Sequence, residues 1–369
     1  MIKSDVEFTG YQLGVIVVTA MLGVGMFSLP SSVTEAAGNE GWISVIGGGI
    51  LAVISILLIC KVGSLYDSEG LVGASKNVFG KVVGIILVIP ILICLYTATF
   101  AEVSIFANSI KIFLLETTPK SAVVIPFLLL VLIITRGELK HMVRFFQFTL
   151  PFIFLAVLVL YLLSLERVDI TNMLPIFQRS PKDYISGSMS TIFQLLGVII
   201  LLVIYPYFKK KDFKSASKSA LIAVGIVSLS YLVTTILCIS KLGIGETKFL
   251  IYPTLSLIKT AYIPGTFIER LEGIMMSAWV VVVFSTVVIW IHAMAVIISD
   301  IFNFKHTKHV ATLLIPLIYV GQRSAPATLD IMSVSEINNL TLGLYSMYVF
   351  PILFYIVYKI RNKKRGGCR

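Results

Sequence analysis

The residues with chemical reach lie where a strongly apolar chain stops being uniform. Met21–Pro30 places Gly23 and Gly25 one residue apart inside an uncharged run from Phe8 to Thr34. Each glycine costs a helix about 1 kcal/mol against alanine. In lipid, an interrupted helix persists only where its freed N–H and C=O groups are buried in protein or line a cavity. Backbone opened there can hold a small molecule, so this stretch reads as half of a ligand site. Close helix packing through small residues is the alternative. A matching interruption is expected in Thr191–Val198, where Gln194 and Gly197 stand in an otherwise apolar run. Half-helix N-termini at that point would aim positive dipole ends at a ligand carboxylate. A glutamine bonded to a neighbouring helix is the competing reading.

Three further positions could carry chemistry. Glu102 ends an uncharged run, and a carboxylate within a span is costly enough to be a functional candidate; a place near the membrane interface is the other possibility. Thr286 and Trp290 are four apart and share a helix face. His292 stands in the same run, where it could relay protons or serve as a hydrogen-bonded structural residue. No GxSxG, GxxxxGK[ST], HExxH or GxGxxG motif occurs, so catalysis is not expected. Cys60, Cys94, Cys238 and Cys368 form no CxxC pair, and no metal or other cofactor is implied.

These positions are embedded in 369 residues that are 57% hydrophobic and 13% charged, with mean hydropathy +0.96. That composition excludes the soluble classes and predicts an all-α polytopic membrane protein. Uncharged stretches fall at 8–34, 41–60, 82–101, 121–135, 145–165, 184–208, 219–240, 273–299, 310–322 and 337–358. Most reach the roughly 20 residues of a spanning helix, which predicts ten transmembrane helices. Each half opens with a long stretch and is shortest at its fourth, so 8–165 and 184–358 read as a 5+5 repeat. Five is odd, so the second half must be inverted, with helices 1 and 6 broken and the site between them. The mixed-charge start, Met1–Glu7, gives no sign of a removable signal peptide.

With the N-terminus inside, twenty of the 30 Lys and Arg residues fall on the cytoplasmic side, including Lys209–Lys211 and the basic tail 359–369. The net charge of +11 is therefore topology, not a nucleic-acid surface. Both termini are expected in the cytoplasm. Pro253–Ile258 reads as a short amphipathic helix over the outer face, as a lid or as a docking surface for a partner. Val62–Gly80 holds a second interfacial helix.

Thr19–Pro30 (TAMLGVGMFSLP), Ile112–Pro119 (IFLLETTP), Tyr252–Leu257 (YPTLSL) and Phe267–Glu272 (FIERLE) resemble the B subunits of bacterial spore germinant receptors. That is the spore permease branch of the amino acid–polyamine–organocation transporter superfamily, and the resemblance spans the whole chain in order. It implies a ten-helix fold like the bacterial leucine transporter and residence in the spore inner membrane. It also implies a complex with an A subunit and a lipoprotein C subunit, and binding of a nutrient germinant, often an amino acid. By the matching motifs the ligand would meet Leu22, Gly23, Val24, Gly25 and Met26. It would also meet Ala98, Leu196, Gly197, Thr286 and Trp290, with Glu102 where the family often has an acid or amide. A departure is Val198-Ile199, where many relatives carry a glutamate after the span-six glycine. The rival reading is an amino acid symporter. In it, carbonyls of the first break with Thr286 or Ser285 could hold Na⁺, and Glu102 or His292 could serve H⁺.

Overall fold

A computed structural model describes residues 8–65, 70–166, 168–208, 213–260, 271–324 and 339–366. Phe267–Arg270, the Lys209–Lys211 run and Cys368 lie outside the described residues. The chain enters α1 (Gly10–Leu22) through a capping box, in which Thr9 and Gln12 exchange backbone and side-chain hydrogen bonds. Then follow α2 (Gly25–Ala37), α3 (Gly41–Gly63), α4 (Gly70–Phe79), α5 (Lys81–Phe113), α6 (Lys120–Thr135) and α7 (Leu139–Ser164). The second half holds α8 (Pro181–Gln194), α9 (Ile200–Ile204), α10 (Phe213–Phe249), α11 (Pro253–Lys259), α12 (Leu271–Phe302), α13 (Thr307–Ser324) and α14 (Phe350–Gly366). Two π-helical turns, Asn339–Gly343 and Tyr345–Val349, lead into α14. No strand occurs among the described residues.

Among the described residues six stretches are long and apolar enough to cross a membrane: Gly25–Gly63, Lys81–Phe113, Leu139–Ser164, Phe213–Phe249, Met275–Phe302 and Leu340–Asn362. Pro181–Gln194 and Leu196–Tyr207 add a seventh if a pair bent by 53° counts as one. Length and composition thus give fewer spans than the ten expected. The first expected span is divided between two 13-residue helices. The fourth is the 16-residue α6, and the 18 residues of α13 include Lys308, His309, Gln322 and Arg323.

The centre is α12, which is apolar on every side and therefore buried. It packs against α1, α5, α6, α7 and α13. Across α1 and α2 from it lie α10 and α8, with α3 behind α8. The exposed leucine, isoleucine and phenylalanine side chains of α5, α6 and α7 face outward, as lipid-facing helices require.

One expectation about a short helix needs revision. α11 exists, but Pro253, Thr254, Leu255, Leu257 and Ile258 are all buried. It is wedged among α2, α10 and α12 rather than lying over a face, because its Thr254 hydroxyl donates to the Met26 carbonyl at 2.8 Å. α4 likewise buries Leu71, Val72 and Val78 against α5 and α12. Its Lys76 ammonium donates to the Asp300 carbonyl at 3.1 Å.

The connection from α7 to α8 is tied down at the α2–α3 corner. Asp169 starts it with an Asx turn, accepting from the Thr171 hydroxyl and backbone N–H, and those bonds hold its carboxyl below the ordinary value. Asn39 donates to the carbonyls of Met173 and Pro175. Glu40, fully buried, accepts from the Gln178 backbone N–H at 2.8 Å and from the Tyr184 hydroxyl. Glu40→Ala removes the acceptor of the Gln178 N–H and the Tyr184 hydroxyl and so unties this connection from the α2–α3 corner. The expected result is a lower unfolding temperature in detergent and faster proteolysis within 165–180. Unchanged stability and protection would show that this corner is not held by Glu40.

Candidate ligand-binding cavity

α1 ends at Leu22 and α2 restarts at Gly25. An L side chain at Gly23 would run into the Glu102 carboxylate, so glycine is what lets that acid reach the backbone. Glu102, on α5 and only 5% exposed, accepts from the Val24 N–H at 2.7 Å. The carboxylate thereby caps the N-terminus of α2 from another helix, where a negative charge is favoured. The second break follows Gln194, where a turn at Leu195 and a 3₁₀ segment, Leu196–Ile199, replace the α-helix.

The backbone carbonyls around the first break are not free. Thr286 donates its hydroxyl to the Thr19 carbonyl (2.7 Å), and Tyr231 donates to Met21 (2.7 Å). Trp279 reaches Gly23 with its indole N–H (3.3 Å), and Thr254 reaches Met26 (2.8 Å). Side chains of α10, α11 and α12 therefore satisfy the acceptors that sequence left open to a ligand. This is the expected solution for a buried interrupted helix. Ser285 donates to its own helix at Val281.

Between the two breaks lies a cavity of about 430 Å³, a volume suited to a small molecule. Its walls include Gly23, Val24 and Gly25 from the first break, Ala98 and Glu102 from α5, Gln194 and Leu196 from the second break, and Trp290 from α12. Ser28 and Ser32 of α2 and Ser186 and Ser190 of α8 line one side, and the exposure of Ser186 marks where the cavity meets the surface. Gln194 leans across to α2, with its amide nitrogen 3.5 Å from the Ser28 hydroxyl. No lysine or arginine is among the described lining residues. The Trp290 indole nitrogen is buried with no acceptor.

Four expected contacts lie elsewhere. Leu22 and Met26 point to the far side of the break, where a small apolar crevice of about 20 Å³ is shared with α7 and α12. Consecutive side chains of a broken helix leave on different sides, so Leu22 to Met26 cannot all face one cavity. Thr286 is turned to the α1 backbone, which it holds. Gly197 packs directly on the Ala20 carbonyl, which leaves it no free surface toward the cavity. His292 is buried, makes no hydrogen bond among the described residues and does not line the cavity.

Sequence reasoning missed Tyr231, Trp279 and the serine side. A tyrosine within an apolar span needs a partner for its hydroxyl, and that was the available signal for Tyr231. Trp279 is 256 residues from its partner Gly23, and only the fold joins them. Its ring also packs 4.6 Å from Phe27 and 5.6 Å from Phe106.

Residues 7–324 match the spore permease family, described as spore germination protein. The chain is 29% identical to spore germination protein YndE of Bacillus subtilis (strain 168), over 99% of each chain. It is 28% identical to spore germination protein A2 of the same organism, over 93% of each. Among solved structures, a Na⁺-coupled sialic acid symporter in a substrate-bound outward-open state superposes with TM-score 0.68. It shares 13% identity, with 94% of this chain and 78% of that one covered. A nucleobase-cation-symport-1 family transporter, closed around bromovinylhydantoin, gives 0.65 at 12% identity over 97% and 93%. These two show a shared transporter fold. With several apolar spans, that fold and nearly the whole length matched, the chain is a multi-pass membrane protein and belongs to the spore permease family of spore germination proteins.

Proposed function

We propose that this protein is the nutrient-sensing subunit of a spore germination receptor. It binds a small germinant, such as an amino acid, in the cavity between the interrupted helices. The observation that supports this most directly is that two interruptions far apart in sequence border one cavity, together with Glu102 and Trp290. On this reading the chain forms ten spans in an inverted 5+5 arrangement, with helices 1 and 6 broken. It resides in the spore inner membrane with both termini cytoplasmic. A partner A subunit and a lipoprotein C subunit read its conformation. Ligand binding acts by stabilising one of two conformations, which requires different affinity for each.

A gradient-coupled symporter is the second reading, favoured by the symporter fold of the structural neighbours. Na⁺ coupling through the first break would use the lone pairs of the Thr286 and Ser285 hydroxyls, whose protons go to the Thr19 and Val281 carbonyls. The test is binding and uptake measured in parallel, with the purified chain in liposomes and a panel of labelled amino acids. Saturable binding without accumulation under a Na⁺ or pH gradient is the expected result; gradient-driven accumulation would make the protein a transporter. Ala98→Phe, which places a ring into the cavity from α5, is expected to raise the concentration for half-saturation about tenfold or more. An unchanged curve would take α5 out of the site.

A further inference from the structure

We propose that the cavity holds its ligand by a protonated amino group, with Glu102 as the partner of that ammonium, and that a free carboxylate on the ligand adds nothing to affinity. This rests on the cavity being the ligand site and names the chemistry it selects. Glu102 is the single acidic residue among the described lining residues, and no described lining residue carries a positive charge. A buried carboxylate with only one backbone hydrogen bond lacks a counter-charge. A ligand ammonium supplies one, in a cavity where low dielectric strengthens the pairing.

The same geometry disfavours an anionic group. The N-terminus of α2 is the natural anion site of an interrupted helix, but Glu102 already accepts from Val24 there. A ligand carboxylate would have to compete with Glu102 for that N–H. The rest of the described lining is uncharged, with Ala98, Leu196, Gln194 and Trp290 among it. The ligand chemistry is thus an amine at one end and a small neutral body against Ala98, Leu196 and Trp290. A primary amide of a small amino acid meets this description better than the acid.

The experiment is a thermal-shift and competition series on the purified full chain. It uses the twenty common L-amino acids, their primary amides and the corresponding 2-hydroxy acids. For the compounds that bind, the amide is expected to match or exceed the amino acid, and the 2-hydroxy acid to be weaker by about tenfold or more. Glu102→Gln is expected to weaken amide binding about tenfold while leaving or improving that of the hydroxy acid. A hydroxy acid within about threefold of its amino acid, an amide tenfold weaker than the acid, or no binding in any series would each overturn the proposal. Gly25→Leu separates the two levels. If a hydroxy acid binds within about threefold of its amino acid and Gly25→Leu removes it, the cavity stands and the ammonium anchor falls. If Gly25→Leu leaves it unchanged, the cavity reading falls as well.

Discussion

Gly25→Leu is expected to abolish saturable ligand binding, with affinity reduced more than about a hundredfold, while the protein still accumulates. A β-carbon at this position would lie 2.7 Å from the Tyr231 hydroxyl and 2.8 Å from the Gln194 amide oxygen. Both groups do other work: Tyr231 holds the Met21 carbonyl, and Gln194 forms a wall of the cavity. Leucine adds three further carbons, and the open volume beside the break is where they must go. All the close atoms belong to side chains and none to backbone, so the strain is of the ordinary overpacking kind, about 1–3 kcal/mol. Occlusion should therefore be felt in binding before folding. Binding within about threefold of wild type, in a preparation of normal yield and unfolding temperature, would remove the first break from the site.

Gly197→Val should act at the other level, on folding. Its β-carbon would collide with the Ala20 carbonyl and lie 2.8 Å from the Met21 nitrogen. These are backbone atoms with no rotamer to escape into, so α1 and the 3₁₀ turn at Leu196 must separate. That contact sets the two interruptions side by side, and losing it is expected to cost on the order of 3 kcal/mol or more. Gly225 is the control: a β-carbon there meets nothing within 4 Å. Gly225→Ala should be neutral or gain up to about 1 kcal/mol from helix propensity. The check is the unfolding temperature of both variants in the same detergent. If Gly197→Val melts with wild type, the close approach of α1 and the Leu196 turn does not matter to stability.

Much of this could be read from local pattern. Helix and membrane character follow from which residue types recur, and a paired glycine in an apolar run marks an interruption because propensity and lipid solvation act on neighbouring residues. Gly23 with Gly25, and Gln194 near its turn, were legible for that reason. Glu102 was legible as an unusual charge, since few environments tolerate a carboxylate in a span. The span count was less secure, because a helix split at Gly23 gives two short pieces that length and hydropathy judge separately.

The tertiary structure decided direction and partnership. Whether Leu22, Met26, Thr286 and Gly197 face the cavity depends on which helices surround the break, and they turn to α7, α12 and the α1 backbone instead. The carbonyls of Thr19, Met21, Gly23 and Met26 find donors more than 200 residues away. No local spacing encodes those meetings. Unpaired backbone groups in a membrane interior are costly enough that some partner had to be present. From the sequence alone that requirement could be stated; only the packed chain assigns it to Tyr231, Thr254, Trp279 and Thr286, because hydrogen bonds between distant segments are set by the fold that brings them within 3 Å or so of each other.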